Sequence, residues 1–190
     1  MHIHKPDEQV TSAEKALQLL KEGNARFVSG MFMNKDCHSE DRELLKSSQK
    51  PFAVVLCCSD SRVAPEIFFD QKLGDIFVIR NAGNITDETV LGSIEYAVEH
   101  LHTPLVVVCG HSCCGAVTAA YEGSELPPNI QSIAERIKPA ISRGGDLDKV
   151  IHNHVEVVVE QVLEDEFVKE MGTKVAGAYY DIHTGEVAWL

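Results

Sequence analysis

Three short, unbroken apolar runs at residues 52–57, 76–79 and 105–109 constrain this chain more than any other feature. Each is rich in Val, Ile or Phe and lacks the alternation of a half-exposed strand, so each predicts a strand buried on both faces, as in parallel sheets. Residues 88–101 offer a helix long enough to cross between the second and third runs, and residues 114–121 open another directly after the third. Strand, helix, strand, helix is the pattern of an α/β fold.

The flanks fill out that frame. Thr11-Ser12-Ala13-Glu14 has the spacing of a capping box, and Ala16, Leu17, Leu20 and Phe27 follow at helical intervals before Gly30, predicting an N-terminal amphipathic helix. Residues 31–50 read as connection with a short helix near 42–46. Residues 129–141 and 147–171 read as helices separated by Ser142-Arg143-Gly144-Gly145, and residues 175–182 and 186–190 flank His183-Thr184-Gly185 as a hairpin adding one strand at the sheet edge. The expected fold is therefore α/β: a mostly parallel sheet of four to five strands flanked by helices, with an N-terminal helical extension and a C-terminal edge hairpin. With 190 residues and 44% hydrophobic content the chain suits one core, a single domain over 1–190. It divides into an arm at 1–50, a core at 51–125 and a helical and strand segment at 126–190.

Charge and cysteine usage narrow the function. A net charge of −12, spread along the chain, repels phosphate backbones and anionic lipid, so no nucleic acid or membrane partner is expected. No apolar run approaches the roughly 20 residues of a membrane span, and the polar, His-rich start does not suit a secretory leader, which together predict a cytoplasmic protein. Six cysteines stand at 37, 57, 58, 109, 113 and 114. Adjacent pairs suit disulfides poorly, and cysteines near a histidine in such a chain point to metal binding or thiol chemistry.

The first run ends in Cys57-Cys58-Ser59-Asp60-Ser61-Arg62 and the third in Gly110-His111-Ser112-Cys113-Cys114-Gly115. Both clusters fall at carboxyl ends of parallel strands, the rim where open α/β sheets bind ligands, and a crevice forms where the strand order reverses. Cys58, His111 and Cys114 make a Cys2His set for a catalytic zinc that keeps a fourth position open, although spacing alone does not choose between the members of each cysteine pair. An amino-terminal helix end favours a thiolate at Cys114. Asp60, clamped by Arg62, can stay ionised and accept a hydrogen bond from water on the metal, a role that matters because two thiolates leave zinc a weaker acid than three imidazoles do. His100, His102, His152, His154 and His183 read as surface or packing residues.

These clusters resemble the two hallmark motifs of the β-class carbonic anhydrases, Cys-Ser-Asp-Ser-Arg at 58–62 and Gly-His-Ser-x-Cys-Gly at 110–115. The likeness continues through Gly23-Asn24-Ala25-Arg26-Phe27, the stretch from Gly74 to Asn84, and the terminal Tyr180-Asp181-Ile182-His183-Thr184-Gly185. It implies that Cys58, His111 and Cys114 are the ligands of one zinc per subunit, that Asp60 and Arg62 form the catalytic dyad, and that hydroxide on zinc attacks carbon dioxide, held beside Gly115, to give bicarbonate and a proton. Similarity to the plant-like subtype implies a substrate pocket lined by Gln49, Phe77 and Tyr96, some supplied by a neighbouring subunit, hence a homodimer or higher even oligomer. Taken alone, Gln49 is a loop residue before Pro51, Phe77 a core strand residue and Tyr96 an apolar helix position. Ala82 replaces the Val common in plant-like relatives. Val55 stands where another branch carries the Trp of an inhibitory bicarbonate pocket, so no such switch is expected. Hydrolysis of carbon disulfide or carbonyl sulfide on the same zinc is the alternative, and a non-catalytic zinc or thiol-redox module is a more distant one.

Overall fold

The computed structural model describes residues 9–33 and 39–190; Cys37, counted above, lies outside the described residues. In chain order its elements are α1 (Ala13–Ser29), α2 (Ser39–Leu45), β1 (Ala53–Cys58), α3 (Pro65–Phe68), β2 (Ile76–Asn81), a 3-10 turn (Ala82–Asn84), α4 (Glu88–His100), β3 (Leu105–His111), α5 (Gly115–Glu122), α6 (Pro128–Ser142), α7 (Leu147–Glu164), α8 (Glu166–Glu170), β4 (Lys174–Tyr180) and β5 (Val187–Trp189).

One sheet runs β2-β1-β3-β4-β5, parallel except for the last pair. The chain moves from β1 outward to β2, then returns to place β3 on the other side of β1. The strand order therefore reverses between β1 and β3, the switch point expected from their clusters. β1 and β3 are buried along their whole length. Alternate residues of β1 feed opposite layers: Ala53, Val55 and Cys57 join α1 and α3, while Val54 and Leu56 join α4 and α7.

Four expectations shift. The helix start moves by one residue, because Ser12 rather than Thr11 caps α1, accepting from the Lys15 N–H, with Glu14 in the first turn taking the Ser12 hydroxyl proton. The long C-terminal helix breaks at Asp165, which caps α8 by accepting from the Val168 N–H and leaves the helical region to do so. The second apolar run is not buried: β2 is the outer strand and only partly covered, with Ile76 and Val78 packing on one layer and Phe77 and Ile79 on the other. The C-terminal hairpin adds two strands rather than one, β4 pairing beside β3 along its full length and β5 forming the edge.

Candidate metal centre

β1 stops at Cys58 because the chain turns there, the Ser59 N–H bonding the carbonyl of Asn81 across the end of the β1–β2 ladder. The pleat that sends Cys57 into the layer under α1 sends Cys58 the other way, toward α5 and α7. Burial pushes the Cys57 thiol up to about 12 and Cys109 well above its usual range, so neither is a ready ligand or nucleophile.

A second device settles the other pair. β3 ends on His111, the Ser112 N–H bonds the Tyr180 carbonyl, and the Ser112 hydroxyl accepts the Ile182 N–H, tying the loop to the end of β4. Cys113 then takes a left-handed conformation, φ 57°, which costs roughly 1–2 kcal/mol for a residue with a Cβ. That turn throws Cys113 outward into solvent and Cys114 inward, where it caps α5.

Cys58, His111 and Cys114 are all buried, and their Sγ, ring nitrogen and Sγ atoms lie within 4.8 Å of one another. His111 lies 2.9 Å through Nδ1 from the carbonyl oxygen of Ser112, so that nitrogen carries the proton and donates it. Nε2 is left as a buried lone pair with no protein partner. A histidine fixed through one nitrogen and bare at the other is the arrangement of a metal-bound imidazole. Two soft sulfurs and that nitrogen fit zinc and leave one tetrahedral position open.

The charge is unevenly shared. The Cys58 thiol is lowered, first by the hydrogen bond from Cys114, then by the backbone N–H groups of Gly83 and Asp60. Cys114 is raised by the same contact with Cys58 and by burial, against the downward pull of the Val117 and Ala116 N–H groups at the start of α5. The helix end acts in the expected direction but is outweighed: two sulfurs this close share one proton, which a dication bound by both would displace.

Beside the cluster, Arg62 grips Asp60 with a fork, Nε to Oδ1 at 3.0 Å and a terminal nitrogen to Oδ2 at 2.7 Å, while its backbone N–H reaches Oδ1 at 2.9 Å. The guanidinium holds the Asp60 carboxyl far below the usual carboxylate range. Both oxygens face Arg62, and Asp60 is outside the three-residue donor cluster.

Sequence reasoning passed over two contributors. Arg80, on β2, donates to the carbonyls of Cys58 at 3.1 Å and Asp60 at 2.8 Å, fastening the loop that carries both. Gly83, in the turn after β2, points its N–H at the Cys58 sulfur at 3.3 Å. Neither residue type announces such a role; the signal was the Arg80-Asn81-Ala82-Gly83-Asn84 string, whose Asn81 side chain closes the turn on both backbone groups of Ile85.

Of the remaining predicted residues, Gln49, Phe77 and Tyr96 do not converge on the cluster within this chain, while Gly115 directly follows Cys114. Gln49 is exposed and lines a surface groove with Leu73 and Gly74. Phe77 pairs with Val54, four residues before the Cys58 and Asn81 pair, or about 13 Å along the strand. Tyr96, 47% exposed on α4, touches Phe77 at 6.3 Å between ring centroids and His100 at 5.1 Å. Gly115 begins α5 in open space, with nothing within 4 Å of where a Cβ would stand.

An open α/β sheet whose switch point gathers a buried Cys2His cluster beside an Asp–Arg fork defines a class, the metalloenzymes that activate a small molecule on one tetrahedral cation. Comparison with known proteins agrees and narrows it. The family described as carbonic anhydrase matches residues 53–187. A carbonic anhydrase of Mycolicibacterium smegmatis is 46% identical over 166 residues, 83% of this chain and 79% of that one. Carbonic anhydrase 2 of Mycobacterium tuberculosis is 47% identical over 138 residues, 70% and 67% respectively. Among solved structures, a tetrameric β-carbonic anhydrase of Sordaria macrospora superposes with a TM-score of 0.73 at 26% identity, covering 93% of this chain and 97% of the other. The chain belongs to the carbonic anhydrase family and is a β-class enzyme of that family.

Proposed function

We propose that Cys58, His111 and Cys114 hold one zinc ion per subunit and that the enzyme hydrates carbon dioxide reversibly to bicarbonate and a proton, with Asp60 and Arg62 as its catalytic dyad. The observation that carries this reading is a buried His111, bare at Nε2, with a ring nitrogen and the two cysteine sulfurs all within 4.8 Å of one another. When bound there, zinc supplies a Lewis acid that makes water nucleophilic near neutral pH.

The chain's own groups do the rest. Asp60 stays ionised at any working pH because Arg62 holds it so, and each of its oxygens keeps acceptor capacity beyond the fork. It therefore takes a hydrogen bond from the reacting water and turns the remaining lone pair toward the substrate. Arg80 and Gly83 hold Cys58 and the Asp60 loop in place during turnover. The open space at Gly115, at the amino end of α5, suits a small uncharged substrate gaining negative charge.

Gln49, Phe77 and Tyr96 act from a neighbouring copy in this reading, Gln49 donating to substrate oxygen and the two rings walling the pocket. Their distance from the cluster within one chain, the half-covered β2 edge and the exposed Tyr96 ring support assembly through this side, as a homodimer or larger even oligomer. Among the described residues no helix is long and apolar enough to cross a membrane. All five described cysteines are free, which supports the reducing cytoplasm as its place.

Stopped-flow hydration on zinc-loaded protein, with sulfide release from carbon disulfide measured alongside, tests the reading. Proton release from carbon dioxide should dominate and should vanish on removal of zinc. Faster turnover of carbon disulfide would replace it.

A further inference from the structure

One buried ionisable side chain near the centre remains without a role. His154 lies in the middle of α7, 1% exposed, on a helix whose other buried positions are mostly Val and Ile. Burying an imidazole in such a layer is costly unless it is hydrogen-bonded. Among the described residues its one hydrogen bond is short: Nε2 sits 2.7 Å from the carbonyl oxygen of Gly83. A carbonyl can only accept, so Nε2 carries the proton, and Nδ1 is left buried without a partner. Burial lowers the affinity of the ring for a second proton and keeps it neutral.

Gly83 is the residue whose N–H reaches the Cys58 sulfur. It occupies a left-handed conformation, φ 77°, and a Cβ there would stand 2.9 Å from the Ala116 Cβ, so the turn is pressed against α5. Glycine moves easily between conformations, and the direction of its N–H depends on what restrains it. The restraint on its carbonyl side is His154.

We infer that His154 is a positioning residue for the metal centre: its Nε2–H pins the Gly83 carbonyl and thereby aims the Gly83 N–H at the Cys58 sulfur, setting how strongly that sulfur donates to the metal. This rests on Cys58 being a zinc ligand. A hydrogen bond to a thiolate draws electron density from it, so loss of the bond makes the sulfur a stronger donor and a less ordered one. Outer groups of this kind typically change metal affinity by about 10–100-fold.

The test compares His154→Gln, whose amide Nε2 can replace the imidazole donor, with His154→Asn, whose shorter amide cannot reach. Each is loaded with cobalt and its sulfur-to-cobalt charge-transfer band recorded, and zinc affinity is measured by competition with a chelator. Asn should move the band to longer wavelength and weaken zinc about 10-fold, while Gln keeps both near the parent values. A band and affinity unchanged in Asn, or equal changes in Asn and Gln, would overturn the inference and leave His154 a packing residue. A parent protein showing no sulfur-to-cobalt band at all would overturn the ligand assignment itself, and the inference with it.

Discussion

In the proposed mechanism much of the chemistry falls to a single pair, Asp60 and the Arg62 fork that holds it. Two thiolates donate more charge to a cation than neutral imidazoles do, so in the proposed mechanism the activated water needs a local acceptor, the part given to Asp60. Asp60→Asn keeps the shape and removes the charge. Hydration should fall by about 100-fold or more, with zinc content unchanged by elemental analysis. Activity within twofold of the parent would remove Asp60 from the mechanism. At this scale spacing alone left each double cysteine as a pair of alternatives, and only the resemblance of the two motifs singled out Cys58 and Cys114. The pleat of β1 and the left-handed turn at Cys113 make the choice, and both are backbone properties that adjacent identical letters do not encode. Gly83 was invisible for a related reason: it acts through its backbone N–H, which every residue but proline carries.

The elements hold the centre by close approach and by caps. Gly23 on α1 lies so near α3 that a Cβ would stand 1.7 Å from the Phe69 carbonyl oxygen. Gly23→Ala should therefore push the arm off the sheet and cost about 3 kcal/mol, read as a lower urea midpoint. A stability loss under 0.5 kcal/mol would show that α1 adjusts freely. Asp87 caps α4, accepting from the Thr89 and Val90 N–H groups, and its carboxyl is lowered by the Thr89 hydroxyl and the Val90 N–H. A depressed folded pKa means the cap stabilises fully above the ordinary value of 3.8 and less as pH falls below it. Asp87→Ala should cost about 1 kcal/mol near neutral pH, with the difference between variant and parent shrinking in acid melts. Periodicity revealed β1, β3, α4 and α5 nearly to the residue, because burial on both faces leaves an unbroken apolar run. It found β2 as a strand but misread its burial, since an outer strand can carry the same apolar letters as a central one.

For the molecule as a whole, the proposed active site is one completed by a second copy, a reading supported by the half-covered β2, the exposed Tyr96 ring and the distance of Phe77 from the cluster. Tyr96→Glu places a charge on that side without touching the metal ligands. It should shift sedimentation toward a monomer and lower hydration at least tenfold while zinc stays bound; a fully active monomer would refute the shared site. The net charge of −12 predicts no retention of nucleic acid during purification. Everything proposed for this enzyme depends on one metal environment, and X-ray absorption at the zinc edge reads it directly. The account predicts two sulfurs near 2.3 Å, one imidazole nitrogen at about 2.0–2.1 Å and one light atom from solvent. A third sulfur, a second imidazole or a protein that takes up no zinc would contradict it.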